Sequence, residues 1–257
     1  MMSSLINMVS VFIFKTLGKG GYVVNIERFN SKEDLYARAV AIIAAAKNNG
    51  STTFGLATGG TMEPLYAKIC KTDIDFSNCI SFNLDEYVGL EANHEQSYAY
   101  YMHQHLFHEK PFQASYLPNG LATNPLEEAA RYEALLQQHS LDFQLLGIGQ
   151  NGHIGFNEPG TPFESLTHLV TLEESTRQAN ARFFSSINEV PTQAFTMGIQ
   201  SIMRAKCILL IAVGETKREV LERVLASDYT EEIPASALTK HPNVIILTDL
   251  QVEENKS

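Results

Sequence analysis

From residue 22 onward, short apolar runs alternate with segments whose apolar residues recur at helical spacing. Tyr22–Phe29, Thr52–Ala57, Cys79–Asn83, Phe143–Ile148, Cys207–Val213 and Val244–Leu247 read as strands. Several are apolar on both sides rather than alternating, as strands covered on two faces must be. Between them lie helix-period stretches: Ser31–Lys47, Glu63–Cys70, Gln96–Phe107, Pro125–Gln138, Glu173–Phe183 and Glu215–Ala226. Ser31 stands where a helix cap would, with Asp34 three residues on, and Asn48-Asn49-Gly50 stops that helix. Strand–helix alternation predicts right-handed βαβ units. The expected fold is a single-domain, Rossmann-like α/β architecture: an open, mostly parallel sheet with helices on both faces. With no repeat or linker, residues 22–257 read as one domain.

Residues 1–21 read as an extension outside that domain. Leu5 to Leu17 is apolar but interrupted by Asn7, Ser10, Lys15 and Thr16, too short for a spanning helix. It lacks the basic start and cleavage site of a signal peptide. A membrane role is therefore not expected, and the chain reads as cytoplasmic. Three scattered cysteines (Cys70, Cys79, Cys207) suit reduced thiols rather than a disulfide framework or a zinc site. The acidic balance, 29 Asp+Glu against 19 Lys+Arg, argues against a nucleic-acid surface. A small anionic ligand held by a few cations remains compatible with it.

In an open α/β sheet, ligands gather beyond the carboxyl ends of the strands. Four such loops carry polar or glycine-rich sequence. Thr58-Gly59-Gly60-Thr61 lets backbone N–H groups approach an anion at the entry to a helix. It is neither a P-loop nor a dinucleotide fingerprint, and by itself it is as much a turn as a phosphate site. Asp85-Glu86 places two carboxylates just past a strand. Successive side chains of an extended segment point opposite ways, so one at most faces the site. A carboxylate there serves either as a base for a carbon-bound proton or as a structural cap. Asn151-Gly152-His153-Ile154-Gly155-Phe156-Asn157-Glu158 sets an imidazole beside an amide and a carboxylate, the pattern of a positioned proton shuttle. Arg182, among apolar neighbours, and Lys217, in the first turn after a strand, are the cations best placed for an anion. His103, His105, His108 and Glu109 look like ligands in print but lack a metal-binding spacing, so no metal is expected.

The stretches LATGGT, SFNLDEYVGL, QSYAYYM, LLGIGQNGHIGFNEPG, THLVTL, ARFF and GETK, in this order, resemble the glucosamine-6-phosphate deaminase (isomerase) family, in its shorter bacterial type. The resemblance runs from about Gly55 to Asp249. It implies conversion of glucosamine 6-phosphate and water to fructose 6-phosphate and ammonia, with no cofactor or metal. It implies that His153, with Glu158 as partner, opens the sugar ring. It implies that Asp85 moves the proton from C2 to C1, and that Gly59, Gly60, Thr61, Arg182 and Lys217 hold the phosphate. Asn151 stands where many members carry Asp; an amide can orient His153 but cannot share its proton. The partner implied is a small sugar phosphate, acted on by a monomer or small homo-oligomer. The rival readings are a galactosamine-6-phosphate deaminase, a 6-phosphogluconolactonase on the same fold, and a sugar-phosphate sensor that binds without turnover.

Overall fold

The computed structural model describes residues 12–17, 23–174, 177–178, 181, 184–226 and 229–251 of the 257-residue chain. Eight strands form the main sheet: β1 (Phe12–Leu17), β2 (Val23–Arg28), β3 (Thr53–Leu56), β4 (Ile80–Asn83), β6 (Ala114–Tyr116), β7 (Phe143–Leu146), β10 (Cys207–Ala212) and β11 (Val244–Thr248). Their order is β1-β2-β11-β10-β7-β3-β4-β6, and every pair except β1–β2 is parallel. The mostly parallel α/β sheet expected from the alternation is thus present. Burial explains its sequence. All four residues of β3 and of β7 are buried, as are five of six in β10, which requires cover on both faces.

That cover comes from different elements on each side. Phe54 pairs in register with Ser81, and Gly55 with Phe82, so the two phenylalanines lie on opposite faces. Phe82 meets Tyr132 of the helix Pro125–Gln138, centroids 5.9 Å apart. Phe54 packs edge-on against Phe76 and Phe112. The helices include α1 (Lys32–Asn48), α2 (Glu63–Ile69), α3 (Tyr98–Met102), α4 (Pro125–Gln138), α5 (Ile199–Met203) and α6 (Arg218–Ala226). Ser31 caps α1 by accepting from the Asp34 N–H, and Asn124 caps α4 through the N–H groups of Leu126 and Glu127. A π-helical turn, His103–Phe107, continues α3, so the single helix expected over Gln96–Phe107 is two pieces.

Two features differ from the sequence reading. Phe12–Leu17 was expected to lie outside the fold, yet it pairs antiparallel with β2 over six residues. This part of the 1–21 stretch is an edge strand of the sheet. The second is a small antiparallel sheet, ordered β5-β9-β8, from β5 (Asp85–Tyr87), β8 (His168–Thr171) and β9 (Gln193–Thr196). These strands are three or four residues long, and tertiary pairing rather than propensity makes them strands. They give the Asp85 segment a rigid frame where a loop was expected. Among the described residues, no helix is long and apolar enough to cross a membrane, and the three cysteines are unbridged.

Candidate active site

Strand order settles where the loaded loops lie. β10, β7, β3 and β4 are consecutive neighbours and run parallel. The loops leaving their carboxyl ends carry Lys217, His153, Gly59–Thr61 and Asp85 in that order. At the usual strand spacing the four ends span roughly 14 Å, a length that one phosphorylated hexose and its flanking side chains can bridge.

Asp85 and Glu86 divide their roles as the extended backbone demands. Glu86 is buried and accepts three backbone N–H bonds, from Tyr87, Tyr98 and Ala99, at 2.8–3.0 Å. It therefore ties β5 to the first turn of α3. Asp85 is also buried, and its Oδ1 has no hydrogen-bond partner among the described residues. Burial pushes its carboxyl up to about 8, and the neighbouring Glu86 adds to the push. A carboxylate that binds protons this readily near neutral pH, and is not used up by structural bonds, suits proton transfer to and from carbon.

The 151–158 loop is folded onto Asp85 by a set of buried bonds. Thr196, paired in register with Asp85, accepts the Phe156 N–H at 3.0 Å. The Asn157 amide donates to the carbonyls of Ile154 and Met197, both at 2.8 Å, and the Met197 N–H donates to Leu84. Gly155 has φ +58°, and a Cβ there would lie 2.9 Å from Thr196 Oγ1 and 3.7 Å from Asp85 Oδ2. Gly155 thus passes beside the Asp85 carboxyl, close enough that a side chain there would touch it. Thr196 carried no signal in the sequence, and Asn157 was visible only as part of the loop motif.

Within the loop, Glu158 Oε2 receives the Asn151 amide at 2.6 Å and lies 3.2 Å from His153 Nδ1. The latter contact has ion-pair length but is not aligned as a hydrogen bond. Asn151 Oδ1 accepts the His153 backbone N–H at 3.2 Å. The nearby carboxylate leaves Nε2 as the ring nitrogen not facing Glu158. The ring lies against Gly149, where an added Cβ would fall 2.3 Å from Cε1; only glycine leaves room for the imidazole. Asn151, His153 and Glu158 thus contact one another, and Gly155 of the same loop lies beside Asp85.

The Gly59–Thr61 loop follows β3, between β4 and β7, and space above both glycines is open. Lys217 follows β10 in a 3₁₀ turn, Glu215–Lys217, which Asp249 anchors by accepting the Gly214 N–H at 2.8 Å. Burial lowers the proton affinity of its half-buried ammonium, and no carboxylate among the described residues pairs with it. A desolvated, unpaired cation is unfavourable until an anion joins it. Arg182 lies outside the described residues.

The chain is 51% identical over 213 residues to a glucosamine-6-phosphate deaminase of Streptococcus pneumoniae serotype 4, covering 83% of this chain and 91% of that protein. It is 53% identical over 211 residues to the deaminase of Streptococcus sanguinis, covering 82% and 90%. Among solved structures, a monomeric glucosamine-6-phosphate deaminase superposes with a TM-score of 0.84 at 43% identity, over 87% of this chain and 96% of that one. A 6-phosphogluconolactonase from Shewanella baltica shares the fold alone, with a TM-score of 0.70 at 19% identity over 87% and 97%. The family model described as glucosamine-6-phosphate isomerases/6-phosphogluconolactonase matches residues 30–246. With the strand-end site in place and that match spanning most of the chain, the protein belongs to the glucosamine-6-phosphate isomerase/6-phosphogluconolactonase family.

Proposed function

We propose that the protein converts glucosamine 6-phosphate and water to fructose 6-phosphate and ammonia. The observation that carries this reading is the Asp85 carboxyl: buried, without a partner on Oδ1 among the described residues, and beside the loop that bears His153. Lactone hydrolysis at C1 has no use for a base poised for a C–H proton, whereas an aldose–ketose shift cannot proceed without one. The deaminase relatives at 51% and 53% identity support the same choice.

The steps follow from the groups. His153 moves a proton from O1 to O5, which breaks the C1–O5 bond and leaves an open aldehyde; Glu158, held by Asn151, orients the imidazole. As O1 takes a proton from the substrate's ammonium group, Asp85 takes the one from C2, giving an enol with the amine still on C2. Returning that proton to C1 makes a C2 imine. Water adds to the imine carbon, and the resulting carbinolamine expels ammonia to leave the ketone. Lys217, with Gly59, Gly60 and Thr61, binds the phosphate away from the reacting carbons, so that binding energy positions C1 and C2. Arg182 is assigned to the same anion by family resemblance.

No step draws on a cofactor, and the similar deaminase of known structure is monomeric. Reduced thiols at Cys70, Cys79 and Cys207 suit a cytoplasmic enzyme of amino-sugar breakdown. The test is ammonia release from glucosamine 6-phosphate, run beside galactosamine 6-phosphate and 6-phosphogluconolactone. Preferred turnover of the gluco substrate with solvent hydrogen entering C1 is expected. Lactone hydrolysis without ammonia release, or phosphosugar binding without turnover, would overturn the reading.

A further inference from the structure

The Gly59–Thr61 loop has little of its own to hold it in shape. Gly59 has φ +101°, and no atom lies within 4 Å of the position a Cβ would take at Gly59 or Gly60. Adjacent glycines lose more backbone freedom on ordering than any other pair, so a loop built of them binds an anion well only if something else fixes its peptide planes.

Two phenols from different helices reach its carbonyls. Tyr101, in α3, donates its hydroxyl to the Gly59 carbonyl at 2.9 Å. Tyr36, in α1, donates to the Thr61 carbonyl at 2.9 Å. The Met62 N–H closes the turn on the Gly59 carbonyl at 2.8 Å. In a trans peptide the C=O and the following N–H point opposite ways, and the chain has no cis peptide among its described residues. Holding the Gly59 oxygen towards Tyr101 therefore turns the Gly60 N–H the opposite way, and holding the Thr61 oxygen towards Tyr36 fixes the peptide whose Met62 N–H closes the turn on Gly59. The N–H groups of Gly60 and Thr61 have no acceptor among the described residues.

We propose that Tyr36 and Tyr101 are positioning residues that lock the Gly59–Thr61 peptides with free N–H groups facing the substrate phosphate. This rests on the phosphosugar reading above, and it assigns to both phenols a part in affinity rather than in proton transfer. The hydroxyls are dependable donors. Burial raises both above the ordinary phenol range, with the charge of Asp249 adding to this at Tyr36 and that of Glu63 at Tyr101. The rings also pack, Tyr36 in the core and Tyr101 against His105 at 4.3 Å. Removing only the hydroxyl separates the two roles.

The test uses the full chain with Tyr36→Phe, Tyr101→Phe and the double variant. Each single change should raise KM for glucosamine 6-phosphate about three- to tenfold, the weight of one hydrogen bond, with kcat held within about twofold. The inhibition constant of inorganic phosphate should rise by the same factor. An unchanged phosphate constant, or a fall in kcat at unchanged phosphate affinity, would overturn the proposal. Inorganic phosphate binding is also measured by calorimetry on wild type and variants. If the wild type releases no ammonia, the functional reading fails while the calorimetry still decides the clamp. Should Tyr101→Phe not fold by circular dichroism, Tyr36→Phe alone decides it by the same criteria.

Discussion

Asp85→Asn should abolish turnover and at the same time stabilise the protein, by an amount that grows with pH. Asp85 has its carboxyl raised from the ordinary 3.8 to about 8, by burial first and by Glu86 second. Between those values the folded protein holds a proton that the unfolded chain has released. Stability conferred by the neutral carboxyl is therefore complete below about pH 4 and is lost as pH rises towards 8. A rise of this size corresponds to at most roughly 5–6 kcal/mol, an upper bound because water entering the site would screen the charge. Asparagine keeps the shape and cannot ionise. It carries its own pH-independent cost, since its amide hydrogens need acceptors that the site was not built to supply.

The informative quantity is therefore the change with pH and not the difference at one pH. From pH 5 to pH 8 the melting temperature of Asp85→Asn should gain on the wild type by roughly 10 °C, taking about 4 kcal/mol and 2–4 °C per kcal/mol for a domain of this size. Scanning calorimetry at the two pH values measures it, and deuterium uptake at C2 of the substrate measures the lost chemistry. A constant offset between variant and wild type across that range would refute the claim that burial holds the carboxyl neutral. Retained C2 exchange in the variant would refute its role as the base.

Other perturbations test neighbouring links. Gly149→Ala would drive a methyl into the His153 ring, to which the Cβ would come within 2.3 Å; kcat on the cyclic sugar should fall at least about tenfold, and far less on a pre-opened analogue, by steady-state assay. Glu86→Gln replaces one acceptor oxygen by a donor facing the Ala99 N–H. It should cost about 1–3 kcal/mol in urea unfolding and move the acid limb of the pH–rate profile down, because a charge beside Asp85 is gone. Lys217→Met should raise KM about tenfold or more with little change in melting temperature, since the half-buried ammonium has no carboxylate partner among the described residues to lose.

What the chain discloses in one dimension, and what it withholds, follows from which forces are local. The main sheet was legible because β3, β7 and β10 are buried on both faces and so must be apolar throughout. The strand-end loops were legible because proton chemistry needs residue types that cannot hide: a carboxylate past β4, an imidazole past β7, a cation past β10. The sheet β5-β9-β8 was not, since Asp85–Tyr87 and Gln193–Thr196 become strands only when they meet across more than a hundred residues. That meeting is the part that matters for function. It sets Thr196 opposite Asp85, and through the Phe156 N–H it fixes how far the histidine loop stands from the base. The same holds for the phenols of Tyr36 and Tyr101, which at helical spacing look like core residues and whose hydroxyls acquire partners only in the folded chain. Residue types thus announce which groups react, while the distances between them are set by contacts that no local pattern encodes. A threonine carrying no motif is accordingly as strong a candidate as the histidine for a change that leaves the fold intact and halts the reaction. Thr196→Val, which keeps the β-branched shape and removes the acceptor for Phe156, should lower kcat with KM little altered, and unchanged kcat would show that backbone pairing alone holds the loop.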